Sequence, residues 1–413
     1  MAMRKTLFLS LALALLVLAF GSLVSAQDQV SLTLMGHSST TAEDETLNEQ
    51  VALFMEENPN VTVDVQLVPE YETVIQTAFA SGDYPEVFYV GQSRLAEYAQ
   101  AGVLAPVEDN VADLDDFYPA LINTFTYDGT LYCVPKDFSN LALEYNTDLF
   151  DEAGVEYPTA DWTWDDLRGA AEAITEATGQ PALSLNPDID RWFAFYVQAG
   201  GQLYDEDGAW SFASDGANFD ATVQALDAYA GLYQDGLSAT AQDLGAGWPG
   251  EAFGNGSVAM TMEGNWIIQY LIDNFPDLNW GVAELPAGPA GEGTLTFSEC
   301  YGVGADNDHP EESWALVNFL TGVEGAARIA EGGFGPMPPR MSAADAWLEN
   351  RGAEFEPFVT GSENAVAPIT PPGFQEFRDT LGNGIQQVFA GNATSEDAIN
   401  DARDVATELM EDM

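Results

Sequence analysis

Between residues 61 and 67 apolar and polar positions alternate. Val61, Val63, Val65 and Leu67 stand against Thr62, Asp64 and Gln66, which predicts a strand with one face more buried than the other. On either side the period lengthens. Leu47, Val51 and Phe54 share one face of a predicted helix over 45–57, ended by Asn58-Pro59, and a second helix over 73–80 stops at Ser81-Gly82. Apolar runs at 30–35 and 86–90 read as flanking strands. The order strand–helix–strand–helix–strand predicts an α/β layer built on a largely parallel sheet.

The pattern then changes. Leu131, Cys133 and Val134 predict a short strand that stops at Pro135, Lys136-Asp137-Phe138 interrupts, and Leu141, Leu143 and Tyr145 predict a second strand before Asn146 opens a helix. A chain that ends one strand at proline and at once begins another is crossing between two packed units. Clefts between such units take small ligands. Further on, Thr163 caps a helix over 165–178 with Asp165 and Asp166 in its first turn and Gly179 at its end. Residues 205–208 read as a turn between two short strands, 220–233 as a helix and 258–262 as a strand, and Asn265-Trp266 opens another helix. Strands are predicted at 279–283 and 295–303, joined by a Pro/Gly-rich connection over 285–293. A helix over 311–320 precedes a second strong break at 332–339, after which only helices follow, the last over 397–410. No repeat or low-complexity linker separates the units, so short crossings join them.

The first residues form an export signal: Arg4 and Lys5, an apolar run over 7–24, then Val24-Ser25-Ala26, which places the mature start at Gln27. No cysteine follows that site, so the usual bacterial lipid attachment is not expected. The charge is lopsided, with 67 acidic and 11 basic residues and a net −56, although only 19% of residues are charged, below the ordinary ~25%. The imbalance is therefore a shortage of cations. Beyond the leader, Lys136 is the sole lysine. Such a surface repels phosphates and excludes nucleic acid as a partner. Self-repulsion of this size needs screening ions, which reads as adaptation to a saline exterior.

Cys133 and Cys300 are the two cysteines, either a disulfide or two buried thiols. His37 and His309 lie too far apart in sequence to complete a zinc site with them, and residues 205–208 lack the spaced ligands of a calcium loop. No cofactor is expected. Two histidines offer no credible Ser-His-Asp set, and among so many carboxylates a sequence pair says nothing about a glycosidase.

Pro135-Lys136-Asp137, the run Tyr145-Asn146-Thr147-Asp148-Leu149-Phe150, Ala153-Gly154, and the motif from Trp162 to Leu167 resemble extracellular solute-binding protein family 1, the carbohydrate receptors of bacterial ABC importers. Phe253-Gly254-Asn255-Gly256 through Gly264-Asn265-Trp266 and Ala80-Ser81-Gly82 through Pro85-Glu86-Val87 add to the resemblance, with Glu86 in place of the family's aspartate. The resemblance implies a two-lobed α/β fold of the periplasmic-binding-protein type (type II), with three crossings and a cleft between the lobes. It places 27–136 plus 285–333 in the N-terminal lobe and 137–284 plus 334–413 in the C-terminal lobe. Both cysteines then fall on strands of one lobe, near the cleft, which favours the disulfide.

The same resemblance implies an exported monomer that closes on a di- or oligosaccharide and delivers it to a membrane permease. The alternatives are a secreted carbohydrate-active enzyme, or a receptor for a polyol, a glycerol-phosphate ester or another non-sugar solute. Expected ligand contacts on the first lobe are His37, Ser38 and Ser39 after the first strand, Gln92 and Ser93 after the third, and Tyr301 where the strand over 295–303 reaches the cleft. Asp137 and Ser139 are expected from the crossing, where a carboxylate accepts sugar hydroxyls. Trp192, Trp248, Trp266 and Phe374 are the expected aromatic walls.

Overall fold

The computed structural model describes residues 29–205, 209–214, 216–332, 335–367, 371 and 373–411. The leader over 1–26, most of the turn at 205–208 and the centre of the break at 332–339 lie outside these residues.

In chain order the elements that place the site are β1 (Val30–Gly36), α1 (Thr41–Glu57), β2 (Val61–Leu67), α2 (Tyr71–Ser81), β3 (Val87–Gly91), α3 (Leu95–Gln100) and β4 (Cys133–Asn146). The second half adds α4 (Trp164–Thr178), β5 (Leu183–Ser184), α5 (Ile189–Gln198), β6 (Ser238–Ala239), β7 (Met260–Gly264) and α6 (Ile267–Asn274). It closes with β8 (Trp280–Ala283), β9 (Thr294–Val303), β10 (Ala365–Val366) and α7 (Gln375–Phe389). The main sheet runs β2-β1-β3-β9-β4-β7-β5-β6, with β8 on β4 and β10 on β9.

The predicted strand–helix–strand layer is present: β1 pairs in parallel with both β2 and β3. Helix α1 begins earlier than its apolar spacing suggests, at Thr41, because the Thr40 hydroxyl accepts the Glu43 N–H at 3.2 Å. At α4 the cap is as read, with Thr163 and Asp166 completing a capping box and Gly179 ending the helix at φ 70°.

The two strands predicted around Pro135 are one. β4 runs unbroken for 14 residues. Its first part pairs antiparallel with β9, from Gly302↔Cys133 to Thr296↔Asn140, and its second part pairs with β7 and β8. Proline survives here because the β4–β9 register shifts between Glu299 and Cys300, opposite Pro135 and Asp137. The bulge absorbs Lys136 as the extra residue where the ladder would otherwise need a proline N–H.

Two large cores lie on either side of this strand pair. One joins Leu32, Leu34, Phe54, Phe88, Val134, Val303 and Leu316; the other joins Leu143, Phe150, Ile174, Phe195, Tyr229, Met260 and Ile385. β4 and β9 contribute to both. Cys133 and Cys300 are bonded, with Cα atoms 5.6 Å apart, at the end of the pair embedded in the first core. The bond closes a loop with a sequence separation of 167 residues. On chain-entropy grounds, replacing both cysteines by alanine should cost about 3–5 kcal/mol. Urea unfolding of the double variant beside the oxidised protein measures this, and equal midpoints would show that the bond adds no stability.

Candidate functional site

A cavity of about 330 Å³ sits where β4 and β9 pass between the two cores. From β4 come Asp137 and Ser139, and from β9 Phe297, Ser298 and Glu299. Gly91, Gln92 and Ser93 form the wall at the carboxyl end of β3, the usual ligand side of an α/β sheet. The opposite wall is Asp190, in the first turn of α5, and Arg378 on α7. Asp188 fixes that turn by accepting the N–H groups of Asp190 and Arg191 at 2.9 and 3.0 Å.

Each charged carboxylate of this cavity has its own cation. Arg378 donates to Asp190 at 3.0 Å. His37 meets both oxygens of Glu299, at 2.9 and 3.0 Å. Lys136 is bonded to Asp137, with both side chains buried, and its ammonium lies 5.0 Å from the Tyr89 ring centre. Burial opposes each ionised form, so the net shifts show what wins. Burial would raise the Glu299 carboxyl, but the His37 hydrogen bond and the Lys136 charge outweigh it and hold its pKa below the ordinary value. The Lys136 ammonium is disfavoured by burial, yet Asp137 and Glu299 keep it protonated more firmly than usual. For Asp137 burial dominates and pushes the carboxyl up against the pull of Lys136. With a bonded ammonium beside it, we take the pair as ionised.

A second cavity of about 210 Å³ opens on the other side of Asp188, lined by Ser184, Asn186, Arg191, Trp248 and Glu263 among others. Arg191 donates to Glu263 at 2.6 Å, and the Trp266 indole N–H donates to the same oxygen at 3.0 Å. The other Glu263 oxygen and the Ser184 hydroxyl are buried with no hydrogen-bond partner among the described residues. Buried polar atoms without partners at a cavity wall are positioned for a ligand or for water. Trp266 lies flat over Gly264, in the space a Cβ would fill, and meets Phe297 edge to face at 5.4 Å; it touches lining residues of both cavities but itself lines neither. Trp248 covers Gly250 in the same way.

The expected contacts divide. Gln92, Ser93, Asp137 and Ser139 converge on the first cavity. Gln92 also stitches β3 to β9, accepting from the Ser298 N–H at 3.0 Å and donating to the Thr296 carbonyl at 3.2 Å. Trp248 lines the second cavity. His37 reaches the first only through Glu299, and with Ser39 and Tyr301 it lines a gap of about 10 Å³ beside Lys136. That gap is too small for a sugar ring. Tyr301 is buried past the register shift of β9, its edge 5.5 Å from Tyr89, which places it in the first core instead of the cleft. Ser38 gives its hydroxyl to Asp44 at 2.6 Å.

Trp192 and Phe374 are not cleft walls. Trp192 is fully buried, with Phe193 and Tyr196 rings at 5.2 and 5.4 Å, because α5 turns it into the core. Phe374 is buried against Trp210 at 4.9 Å. The residues that do reach the cavities from these segments are Asp190 and Arg191, just before Trp192, and Arg378, one turn after Phe374. Cation scarcity is the signal that points to them: in a chain with 11 basic residues, both arginines sit beside the motifs already singled out.

Comparison with known proteins agrees with this geometry. The bacterial extracellular solute-binding protein family model matches residues 37–327, and the chain belongs to that family. A putative binding protein of Brucella abortus is 26% identical over 408 residues, covering 94% of each chain. Among solved structures, the chain is similar to an ABC substrate-binding protein from Listeria monocytogenes in complex with cycloalternan (TM-score 0.80, 27% identity, 93% of this chain and 100% of that one). It is also similar to the GacH receptor of Streptomyces glaucescens, solved unliganded and with acarbose (TM-score 0.79, 26% identity, 94% and 100%). The fold is accordingly the two-lobed α/β receptor architecture.

The His37–Glu299 contact makes a pH prediction. The hydrogen bond to Glu299 raises the His37 pKa above 6.5, against the opposing effect of burial. Its stabilising contribution is therefore full below 6.5 and is lost as pH rises through the raised folded-state value. His37 is 38% exposed, so screening limits the effect to about 0.5 kcal/mol. Urea unfolding between about pH 6 and pH 9 should show that loss in the native protein and not in His37→Gln. Identical pH profiles would show that the contact contributes nothing.

Proposed function

We propose that this chain is an extracytoplasmic receptor that captures a neutral di- or oligosaccharide and delivers it to the permease of an ABC importer. The observation that carries the reading is the pairing of each carboxylate of the first cavity with its own basic partner: Asp137 with Lys136, Glu299 with His37, Asp190 with Arg378. The cavity therefore offers strong hydrogen-bond acceptors with little uncompensated charge. Sugar hydroxyls need such acceptors, whereas an ionic solute would find its counter-charge already taken. Phe297 in the first cavity and Trp248 in the second add apolar faces for the C–H side of a ring. The saccharides named for the Listeria and Streptomyces receptors support the same class.

The lobes take the boundaries 27–136 plus 285–333 and 137–284 plus 334–413, and they close on the ligand by bending β4 and β9. The protein is exported by a leader ending at Ala26, acts as a monomer, and releases its ligand unchanged. Titration calorimetry against a panel of neutral saccharides, with product analysis, tests this. One sugar should bind at a 1:1 ratio with no product. Asp137→Asn and Arg378→Ala should each weaken binding about 10- to 100-fold, since each strips a buried ligand-facing network of a partner. Steady product formation would favour the carbohydrate-active enzyme, and tighter binding of an anionic ester would displace the neutral-sugar reading.

We also propose that the acidity is a salt adaptation. Net charge of −56 gives strong self-repulsion, and counter-ions shorten its reach to ~3 Å at 1 M. The thermal midpoint should rise steadily from low salt to molar potassium chloride. A midpoint that levels off near ~0.1 M would show ordinary screening and no saline adaptation.

A further inference from the structure

We infer that the natural ligand carries an apolar group beside its sugar, and that this group fills a further chamber next to the cleft along β9 and α5. The inference rests on the carbohydrate reading above. The chamber has a volume of about 360 Å³. Its walls prolong those of the cleft cavity. On β9, Leu295 precedes Phe297 by two positions and so lies on the same face of the strand. On α5, Phe193 follows Asp190 by one turn and so lies on the same side of the helix. Phe297 and Asp190 line the cleft cavity, and Leu295 and Phe193 line the chamber.

The linings differ in kind. Carboxylates and serines wall most of the cleft cavity, whereas Phe193, Val197, Leu203 and Leu295 dominate the chamber, with Gln202 and the Tyr196 and Tyr204 hydroxyls its few polar side-chain groups. Its floor is closed, because Phe193 and Leu295 are buried. Its rim is open, because Tyr204 is 36% and Val366 41% exposed. Val366 is held there by its pairing with Leu295. Tyr204 and Val366 thus form an apolar edge above a closed apolar floor. Another sugar ring does not suit it, since its hydroxyls would lose water and find few partners. A short alkyl or aryl aglycone suits it, because such a group loses no hydrogen bonds on entry and removes apolar surface from water. Continuity of β9 and α5 between the two spaces argues for one ligand spanning both, and against a separate partner on the rim.

The test compares each neutral sugar that binds with its n-hexyl and 4-nitrophenyl glycosides, by calorimetry on the whole protein. The glycoside is expected to bind about tenfold tighter or more, with a more negative heat-capacity change. In Tyr204→Asp and Val366→Asp that gain should vanish while the affinity for the free sugar stays unchanged. Equal affinities for sugar and glycoside, or a gain that survives both substitutions, would overturn the inference and leave sugar binding intact. Failure of every sugar and every glycoside to bind would overturn both readings. Sedimentation showing a dimer that the two substitutions dissociate would assign the patch to a second copy of the chain and likewise overturn the inference.

Discussion

The structure depends on one antiparallel contact, the pairing of β4 with β9. These strands belong to both cores at once, so whatever joins them joins the halves of the molecule. At their centre lie Lys136, Asp137 and Glu299, which are costly to remove from water. Charge desolvated at such a place is tolerable only when geometry supplies partners. Here Lys136, Asp137, Glu299 and His37 supply them to one another, and the same groups present Asp137 and Glu299 to the cavity. The ladder that connects the two cores and the wall of the first cavity are made of the same residues.

Much of the fold was legible in the sequence because it rests on local rules. Alternation at Val61–Leu67, the Thr163 cap and the Gly179 stop each act within a few residues of where they are written. The break at Pro135 was misleading for a physical reason. Proline ends a strand only where the partner demands an N–H, and a register shift on β9, more than a hundred residues away, removes that demand. No local pattern reports such a shift.

The site was half legible. Asp137, Ser139, Gln92 and Ser93 follow from strand ends and the crossing, and they meet in one cavity. Aromatic residues misled, because a tryptophan beside polar residues reads alike whether it faces a cleft or a core. Trp192 and Phe374 went inward, while Asp190 and Arg378, within one helical turn of them, went to the cavity. Which side a helix presents depends on its packing, and that is set by the whole of the second core. Trp248, which covers Gly250, reaches the second cavity, whereas Trp266, which covers Gly264, lines neither and touches the first only through Phe297.

The bond between Cys133 and Cys300 spans β4 and β9 at one end only. Sliding of one strand past the other is thereby forbidden, since any slip would have to break it. What remains is flexure farther along, from Asp137 to Asn140 against Thr296 to Glu299, where no covalent bond ties the two strands. That stretch carries the side chains that line the first cavity, so any bending there would reshape the cavity as well.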